Sequence, residues 1–376
     1  MKVFLAALMS LILVGAALFG VLWFEYQGFL ATPIERVSAP QAAAQAEAQN
    51  ETQREVQGEA QREVQGEAQR EPRVFEIRPG TRLRQLATRL TDEGLIEDPY
   101  FFIALAYQQR LQGQIKAGEY ALTEDMRPLD LLRLFASGRS ILYPVTLIEG
   151  WTFRDAVASL ADHETLQQEL TGLSEREIMQ RVGIDEPHPE GWLFPDTYLV
   201  ARASTDVDVL KRAHERMQRV LHEEWQQRAE GLPLKTPYEA LILASIIEKE
   251  TGLAEERPDI AGVFVRRLQR GMRLQTDPTV IYGMGEAYDG NIRRADLRRA
   301  TPYNTYVIDA LPPTPIALPG RAAIHAALHP ADGDALYFVS RGDGSHHFSS
   351  TLEEHNCAVR HYQLGGRCRL LEEAAP

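Results

Sequence analysis

Two glutamates on either side of a lysine, Glu248 and Glu250, are the residues of this chain whose type and position best suit acid–base chemistry. The residues from Tyr238 to Thr251 contain no glycine or proline, which predicts a helix that ends at Gly252. Residues two apart on a helix lie on different faces, so the two carboxylates cannot serve one site. A carboxyl group placed in this way could donate a proton to a leaving group and later take one back.

Glu248 is the better candidate because its neighbours on the helix are all small. Ala244 and Ser245 lie one turn before it and Thr251 one turn after it, which leaves room for a ligand. The last turn of a helix faces the negative end of its dipole, and apolar neighbours limit hydration. Both effects favour the protonated form that a general acid requires. The alternative is an ordinary solvated helix end.

The segments after this helix supply polar and aromatic side chains on loops. An amphipathic helix is predicted around Ala261–Arg270, followed by an irregular polar loop with the sequence GMRLQTDPTVIYGMG at 271–285. Further loops follow at Thr301–Tyr306, Leu311–Ile316 and Leu318–Gly320, the last two rich in proline. Rigid loops carrying amides, hydroxyls and aromatic rings are typical of a sugar-binding cleft.

Five motifs together carry a resemblance to a known family. They are ASIIEKET, RLQRGMRLQTDPTVIYGMG, NTY, LPPTPIALPG and HHFSSTLEEHN. These motifs resemble the YceG-like (MltG) family of endolytic murein transglycosylases, and the resemblance runs from about Val74 to about Tyr362. In that family the first glutamate of the EKE motif is the catalytic acid, which implies this role for Glu248. The resemblance implies no cofactor.

The implied reaction cleaves the β-1,4 bond between MurNAc and GlcNAc within peptidoglycan strands and limits their elongation. A lytic transglycosylase needs one carboxyl group, which protonates the glycosidic oxygen and then accepts a proton from the muramic acid C6 hydroxyl. That hydroxyl closes a 1,6-anhydro ring without water. A hydrolytic muramidase would use a second carboxylate, for which Asp277 and Glu190 are the candidates. A third reading is a membrane-tethered glycan-binding protein in which Glu248 is inert.

The remaining residues of the cleft must bind the glycan and stabilise positive charge. The candidates are Gln275, Thr276, Asp277, Tyr282, Asn304 and Tyr306. Trp192 lies in the segment EGWLFPDTY at Glu190–Tyr198, and its ring is either part of the core or a surface on which a sugar stacks. The histidines near the C-terminus have irregular spacing, so no metal site is predicted.

The N-terminus reads as a transmembrane anchor, assigned to residues 1–24. Val3–Phe24 carries no charge and is long enough to span a bilayer, and Leu22–Tyr26 resembles an aromatic interface anchor. A cleavable signal peptide is the competing reading, although no cleavage motif is obvious. The single basic residue Lys2 places the N-terminus in the cytoplasm. We therefore expect a single-pass protein of the cell inner membrane with a periplasmic catalytic domain.

Residues 25–72 are predicted to form a disordered linker. The octapeptide EVQGEAQR occurs twice in succession at Glu55–Arg70, and the segment has almost no apolar residues to bury. A flexible chain of about forty residues has a root-mean-square reach of roughly 35 Å. We expect the segment to act as a tether.

The rest of the chain is assigned to the α+β class in two parts, 73–140 and 141–370. The first part reads as a strand, a PGT turn, two helices and a strand, an order that resembles a LysM glycan-recognition module. The alternative is a structural subdomain that does not bind sugar. The second part is the larger, mixed α+β catalytic domain.

Composition excludes some classes of partner. The net charge is −13 and no basic stripe with interleaved aromatics is present, so no nucleic acid is expected. Peptidoglycan glycan strands are the expected partner, with peptidoglycan synthases as candidates. Cys357 and Cys368, the two cysteines of the chain, either form a disulfide in an oxidising compartment or remain free thiols.

Overall fold

The computed structural model describes residues 2–34, 72–202 and 204–368, except for the side chains of 2–8, 10 and 11. The repeat at 55–70, predicted to be disordered, lies outside the described residues. The chain divides into two compact units, Met1–Tyr143 and Pro144–Pro376. Helices and short antiparallel strands occur in both, which confirms the mixed α+β class.

The first unit combines an N-terminal helix with a two-stranded sheet and three shorter helices. Its elements are α1 (Lys2–Ala31), β1 (Arg73–Ile77), α2 (Leu83–Asp92), α3 (Pro99–Gln108), β2 (Gly118–Leu122) and α4 (Pro128–Ser137). Strand β1 pairs antiparallel with β2, which places Phe75 opposite Tyr120, and both rings are buried. Helix α2 buries Leu86 and Leu90, one turn apart, against this core. The order β-α-α-β is the one that the sequence predicts.

Helix α1 extends beyond the predicted end of the anchor. The anchor was predicted to end at Phe24, but the helix continues to Ala31, and Phe29 and Ile34 are buried in the core of the first unit. A single charge at Glu25 does not stop a helix, and the apolar residues that follow find a place to pack. The linker therefore cannot begin at residue 25. An apolar stretch at Ile12–Ala31 is long enough to cross a membrane.

The second unit contains more helices than strands among its described residues. Its strands are β3 (Leu142–Thr146, which begins at the unit boundary), β4 (Thr197–Ala201), β5 (Tyr337–Ser340) and β6 (His346–Ser349). Its helices are α5 (Phe153–Ala161), α6 (Glu175–Val182), α7 (Asp206–Gln226), α8 (Pro237–Glu250), α9 (Arg257–Gln269), α10 (Asp277–Met284), α11 (Arg321–Leu328) and α12 (Leu352–Tyr362). Short 3-10 turns lie at Ala254–Glu256, Gly285–Ala287 and Asp296–Arg298. Strand β3 pairs with β4, and β5 pairs with β6.

Helix α8 lies at the centre of this unit. Every residue from Ala240 to Ile247 is buried, as a helix that is apolar on all faces requires. It packs against α7, α9, α10 and α11. The hydroxyl of Thr236 caps its N-terminus by accepting the Glu239 N–H at 3.2 Å, and Pro237 occupies the first turn. Burial of the helix body fixes the position of the acidic residues at its C-terminal end.

The segment that follows α9 has a different structure from the one that the sequence predicts. The segment 271–285, predicted to be an irregular loop, contains helix α10, which begins at Asp277 with Pro278 in the first turn. Proline and an acid are both favourable at a helix start, so the TDP sequence initiates a helix here.

Cys357 on α12 and Cys368 form a disulfide with their Cα atoms 5.2 Å apart.

Candidate active site

The carboxylate of Glu248 is enclosed by groups from two distant segments. Its side chain, on the last turn of α8, is only 5% exposed. The backbone N–H of Gly320 donates to Oε2 at 2.9 Å, and Arg257 Nη2 donates to Oε1 at 3.1 Å. Glu248 is therefore not part of a solvated helix end.

Opposing influences act on the protonation of Glu248. Burial raises the pKa of this carboxyl group most strongly, and the nearby Glu149 raises it further. The Gly320 N–H and Arg257 lower the pKa because they stabilise the anion. The net direction is upward, as expected for a general acid. The same donors would stabilise the carboxylate that remains after a proton has been given away.

Arg257 links Glu248 to the start of the second unit. Its side chain is 11% exposed, and Nη2 lies 3.9 Å from the Glu149 carboxylate. Its Nε is buried and, among the described residues, has no hydrogen-bond partner. A guanidinium with a spare donor beside the candidate acid could bind an oxygen of a ligand. Arg257 is not identifiable from the sequence, because its nine-residue separation from Glu248 spans a turn whose geometry the sequence does not reveal.

Two loop segments are tied together next to Glu248. Gly150 N–H donates to Leu318 O at 2.9 Å, and Leu318 N–H donates to Trp151 O at 2.7 Å. Lys249 Nζ donates to Gly150 O at 3.1 Å. A Cβ atom on Gly320 would overlap the carboxylate of Glu149, so this close approach requires glycine. The EGW and ALPG segments thus form a rigid frame around the candidate acid.

Glu250 lies in a separate environment, as predicted from the helix geometry. It is partly buried, and Thr276 Oγ1 donates a hydrogen bond to its Oε1. Burial raises the pKa of Glu250 to about 7; Asp277 adds to this shift, whereas the Thr276 hydrogen bond and His346 oppose it. Glu250 and Glu248 therefore both have a raised pKa, but their partners differ. Thr276 and Asp277 act on Glu250, whereas the Gly320 N–H donates to Glu248.

Two of the predicted glycan-binding residues are buried and form hydrogen bonds within the protein. Asn304 is 1% exposed; its amide donates to Asp296 O at 3.1 Å and Arg299 O at 2.7 Å, and its carbonyl oxygen accepts the Tyr306 N–H at 3.0 Å. Thr276 is 2% exposed, with its hydroxyl committed to Glu250. The side-chain donors of both residues are thus used inside the protein, and their burial in this structure argues against the predicted contact with a glycan.

Trp192 is also a core residue in this structure. It is 7% exposed, its ring stacks on Tyr238 at a centroid separation of 5.8 Å, and His214 meets it edge-on at 5.8 Å. A sugar needs an open aromatic face, so the burial argues against the stacking role. The alternative reading of this aromatic segment as core is the one that the structure supports.

Three predicted residues remain accessible around the start of α10. Gln275 and Asp277 are exposed, and Tyr306 is half-buried with its hydroxyl donating to Asp277 Oδ1 at 2.6 Å. Gln275 adopts a φ of 54°, which is uncommon for a residue with a side chain. Such strain is often found at binding sites, so these residues stay candidates for glycan contact.

A cleft of about 660 Å³ lies within the second unit and is lined by Glu190, Tyr282, Lys249 and Arg154, among other residues. Glu190 is 3% exposed and accepts hydrogen bonds from Phe153 N–H at 2.8 Å and the Tyr282 hydroxyl at 3.0 Å. Burial raises the pKa of Glu190 to about 7 against the effect of these donors. Glu248 itself does not line this cleft, although the adjacent Lys249 does. Of the residues predicted to bind glycan, Tyr282 lines this cleft.

One cluster of metal-ligand type was not identified from the sequence. Potential ligand atoms of Glu224, His325 and His329 lie within 4.8 Å of one another. His325 Nδ1 is 2.8 Å from Glu224 Oε2, and Arg321 Nε lies 3.5 Å from the other carboxylate oxygen. Because the guanidinium already balances this carboxylate, the cluster is adequately explained as an ion-pair network between α7 and α11.

Comparison with known proteins places this chain in a family. The chain belongs to the YceG-like family, whose model matches residues 75–361. An endolytic murein transglycosylase of Bacillus subtilis (strain 168) is 30% identical over 303 residues, which cover 76% of this chain and 83% of the relative. A protein with the same name from Streptococcus pneumoniae (serotype 2, strain D39) is 27% identical over 316 residues, 74% of this chain and 56% of the relative.

One solved structure is also similar. The crystal structure of a YceG-like protein from Listeria monocytogenes aligns with 76% of this chain and 98% of its own, at 28% sequence identity and a TM-score of 0.45.

Proposed function

We propose that this protein is an endolytic lytic transglycosylase that cuts MurNAc–GlcNAc bonds within peptidoglycan strands, with Glu248 as its acid–base residue. The observation that carries the proposal is the environment of Glu248, an enclosed carboxyl group with a raised pKa and two donors ready to stabilise its anion. Membership of the YceG-like family, and relatives named as endolytic murein transglycosylases, support the reaction class.

The proposed reaction has two proton transfers. Protonated Glu248 donates its proton to the glycosidic oxygen, the bond from that oxygen to the muramic acid C1 breaks, and the GlcNAc unit leaves with its 4-hydroxyl restored. Arg257 and the Gly320 N–H stabilise the resulting carboxylate. The carboxylate then removes the proton of the C6 hydroxyl while that oxygen bonds to C1. The products are an anhydro end and a protonated Glu248, and no water is consumed.

A hydrolytic muramidase is the second candidate, and Glu190 is the observation that favours it. This residue is a buried carboxyl group with a pKa of about 7, and it lines a cleft, as a second catalytic carboxylate would. The products distinguish the two reactions. Mass spectrometry of fragments released from purified murein should find 1,6-anhydro ends, which are lighter by one water than reducing ends. Fragments carrying only reducing ends would refute the transglycosylase.

We further propose that the βααβ part of the first unit is a LysM-like module that contacts glycan. The pairing of β1 with β2 and the packing of α2 on α3 support this proposal. Titration of the detergent-solubilised full chain with N-acetylglucosamine oligomers, followed by hydrogen exchange in residues 73–140, would test it. Protection confined to the second unit would leave this part with a structural role only.

We also propose that α1 anchors the chain in the inner membrane with its N-terminus in the cytoplasm, so that the second unit works in the periplasm beside peptidoglycan synthases. The apolar stretch at Ile12–Ala31 and the basic Lys2 support the anchor and its orientation. A C-terminal reporter that is active only outside the cytoplasm should give a signal. A cytoplasmic signal would reverse the topology.

A further inference from the structure

Helix α3 of the first unit carries an exposed face without charge, next to the end of the candidate membrane helix. We propose that this face lies in the lipid–water interface of the bilayer, so that α1 holds the first unit directly on the membrane surface. The proposal rests on the membrane anchoring proposed above and is independent of the catalytic role of Glu248.

Contacts at both ends of α3 tie it to α1. The Phe101 ring, in the first turn of α3, meets Tyr26 edge-on at 5.5 Å and Phe29 at 5.7 Å. At the last residue of α3, Gln108 Oε1 accepts a hydrogen bond from the Tyr26 hydroxyl at 2.6 Å. Phe29 is 2% exposed and belongs to the core of the unit. Helix α3 is therefore held at a fixed level along α1, beside residues 26–29.

That level lies just beyond the uncharged run of α1, which ends at Phe24 before Glu25. Trp23 and Phe24 are 51% and 80% exposed, and Trp is enriched where a membrane helix reaches the lipid headgroups. At 1.5 Å of rise per residue, Tyr26 lies only about 4.5 Å along the axis beyond Trp23. An element attached at Tyr26 therefore lies at the depth of the headgroups.

The exposed face of α3 has the composition that such a position favours. Residues Pro99–Gln108 include no charged side chain. Phe102, Leu105 and Ala106 are buried in the unit, whereas Tyr100 and Tyr107 are 66% and 61% exposed.

The exposed residues form one stripe along the helix. Tyr100, Ala104 and Tyr107 have the spacing i, i+4, i+7 and lie on one side. A surface helix in water would carry charged residues on this side. Tyrosine combines an apolar ring with a polar tip and is enriched at membrane interfaces. The exposed Arg110 follows directly, within reach of anionic headgroups.

The proposal changes the role expected for the segment after α1. Ile34 N–H donates to Met126 O at 3.0 Å, and Arg73 pairs with Leu122, so both ends of the segment 35–71 are attached to the same unit. The segment therefore does not set the distance of the first unit from the membrane. Helix α1 does so directly.

The test uses the full chain with single nitroxide labels in vesicles of phosphatidylethanolamine and phosphatidylglycerol. The chain has two cysteines and they are disulfide-bonded to each other, so an introduced cysteine is labelled selectively. The positions are Tyr107→Cys and Tyr100→Cys on the exposed face of α3, Arg84→Cys on the exposed side of α2 as the control, and Leu18→Cys within α1. Electron paramagnetic resonance measures collisions with oxygen, which enters lipid, against those with a water-soluble nickel complex.

The labels on α3 should have an oxygen-to-nickel ratio several-fold above that at Arg84 and below that at Leu18. Ratios at both α3 positions equal to the Arg84 value, with Leu18 in lipid, would overturn the interface proposal and leave the anchor standing. A water-like ratio at Leu18 would overturn the anchor and the interface proposal together. Murein cleavage by the same labelled proteins reports separately on the proposed enzymatic function.

Discussion

At the scale of single residues, three glutamates of the second unit, Glu190, Glu248 and Glu250, are buried or partly buried and have different partners. Glu248 is held by a guanidinium and a backbone N–H, Glu250 by a threonine hydroxyl, and Glu190 by a tyrosine hydroxyl and a backbone N–H. All three have a raised pKa with burial as the main cause. A raised pKa therefore does not single out the catalytic acid. We propose Glu248 because Arg257 lies beside it and would stabilise the anion that the proposed reaction must form.

Replacing Glu250 tests the cost of burying an acid without such a cation. Its pKa in the folded chain is about 7, above the ordinary 4.5, so the folded state prefers the protonated form. The resulting stability is fully present below about pH 4.5 and is lost as the pH rises through about 7. Glu250→Gln should therefore lose less unfolding free energy than wild type over this range.

Urea unfolding at a series of pH values measures this difference. Because Glu190 has a shift of the same sign, the variant should keep part of the decline. Glu255→Gln, at an exposed position, is the matched control and should follow the wild-type profile. Identical profiles for wild type and Glu250→Gln would mean that Glu250 ionises freely in the folded chain.

The sequence predicted the separation of Glu248 and Glu250, since both lie on one continuous helix whose geometry is known in advance. It did not predict Arg257 as the partner of Glu248, because the turn between α8 and α9 has no regular geometry. Asn304 and Trp192 illustrate the same limit of sequence-based prediction, since both were candidate glycan-binding residues and both are buried in the structure. Their types suit glycan binding, but only the folded loops show that their polar groups and rings already have partners inside the protein.

At the scale of elements, the position of Glu248 depends on a central helix and on two loops. Helix α8 is buried along its body, and the hydroxyl of Ser245 accepts the Ile316 N–H at 3.0 Å. This bond fixes the start of the IALPG segment against the helix, four residues before the Gly320 donor. We infer that the geometry of the site is set by packing on α8 and not by the loops alone.

The disulfide stabilises the C-terminal helix. Cys357 on α12 and Cys368 close a loop with a sequence separation of 11. Closing so short a loop contributes on the order of 3 kcal/mol by the chain-entropy model. A variant with both Cys357→Ser and Cys368→Ser should lose about this much stability, with faster hydrogen exchange confined to residues near α12.

Hydrogen exchange of the oxidised and the reduced wild type is the control for the serine substitutions themselves. Reduction should reproduce the effect of the double variant. Unchanged exchange in α12 after reduction would show that the helix is held by its packing against β5 and β6 without help from the disulfide.

Most helices were predicted from the sequence, but α10 was missed and the end of α1 was placed too early. The apolar spacing in α2 and the unbroken apolar run in α8 predict helices directly. Helix α10 was missed because eight residues with two glycines nearby look like a loop until their packing against α8 is known. Helix α1 runs seven residues beyond its predicted end, since the core that receives Phe29 is built from residues far along the chain.

At the scale of the whole molecule, the repeat segment is the part whose removal should matter least to the folded units. Deleting Gln41–Arg70 leaves residues 35–40 and 71–72 between the attached ends. Eight extended residues span up to about 26 Å. Arg73 pairs with Leu122, and Ile34 bonds to Met126 only four residues further on, so the shortened segment should still connect them.

The deletion variant should keep wild-type cleavage of soluble murein glycans and an unchanged unfolding free energy. Muropeptide release and urea unfolding measure the two properties. A replacement of the same residues by a glycine–serine segment of equal length is the control. If the deletion variant loses activity while the replacement keeps it, segment length contributes to function in the isolated protein.

Glu248 is proposed to carry out both proton transfers of the cleavage. Glu248→Gln keeps the shape of the side chain and can still accept the Gly320 N–H, but it cannot exchange a proton with the substrate. Release of anhydro-ended fragments from purified murein should therefore fall by about 10²-fold or more. Glu250→Gln, whose side chain lies in the other environment, should lose much less.

Mass spectrometry of muropeptides released by wild type, Glu248→Gln, Glu250→Gln and Glu190→Gln tests this claim most directly. Matched thermal unfolding and glycan-binding curves must show that each variant is folded. We predict anhydro-ended fragments from wild type and their loss in Glu248→Gln. Near-normal release by Glu248→Gln, together with its loss in Glu190→Gln, would contradict the account and assign the chemistry to the other carboxyl group.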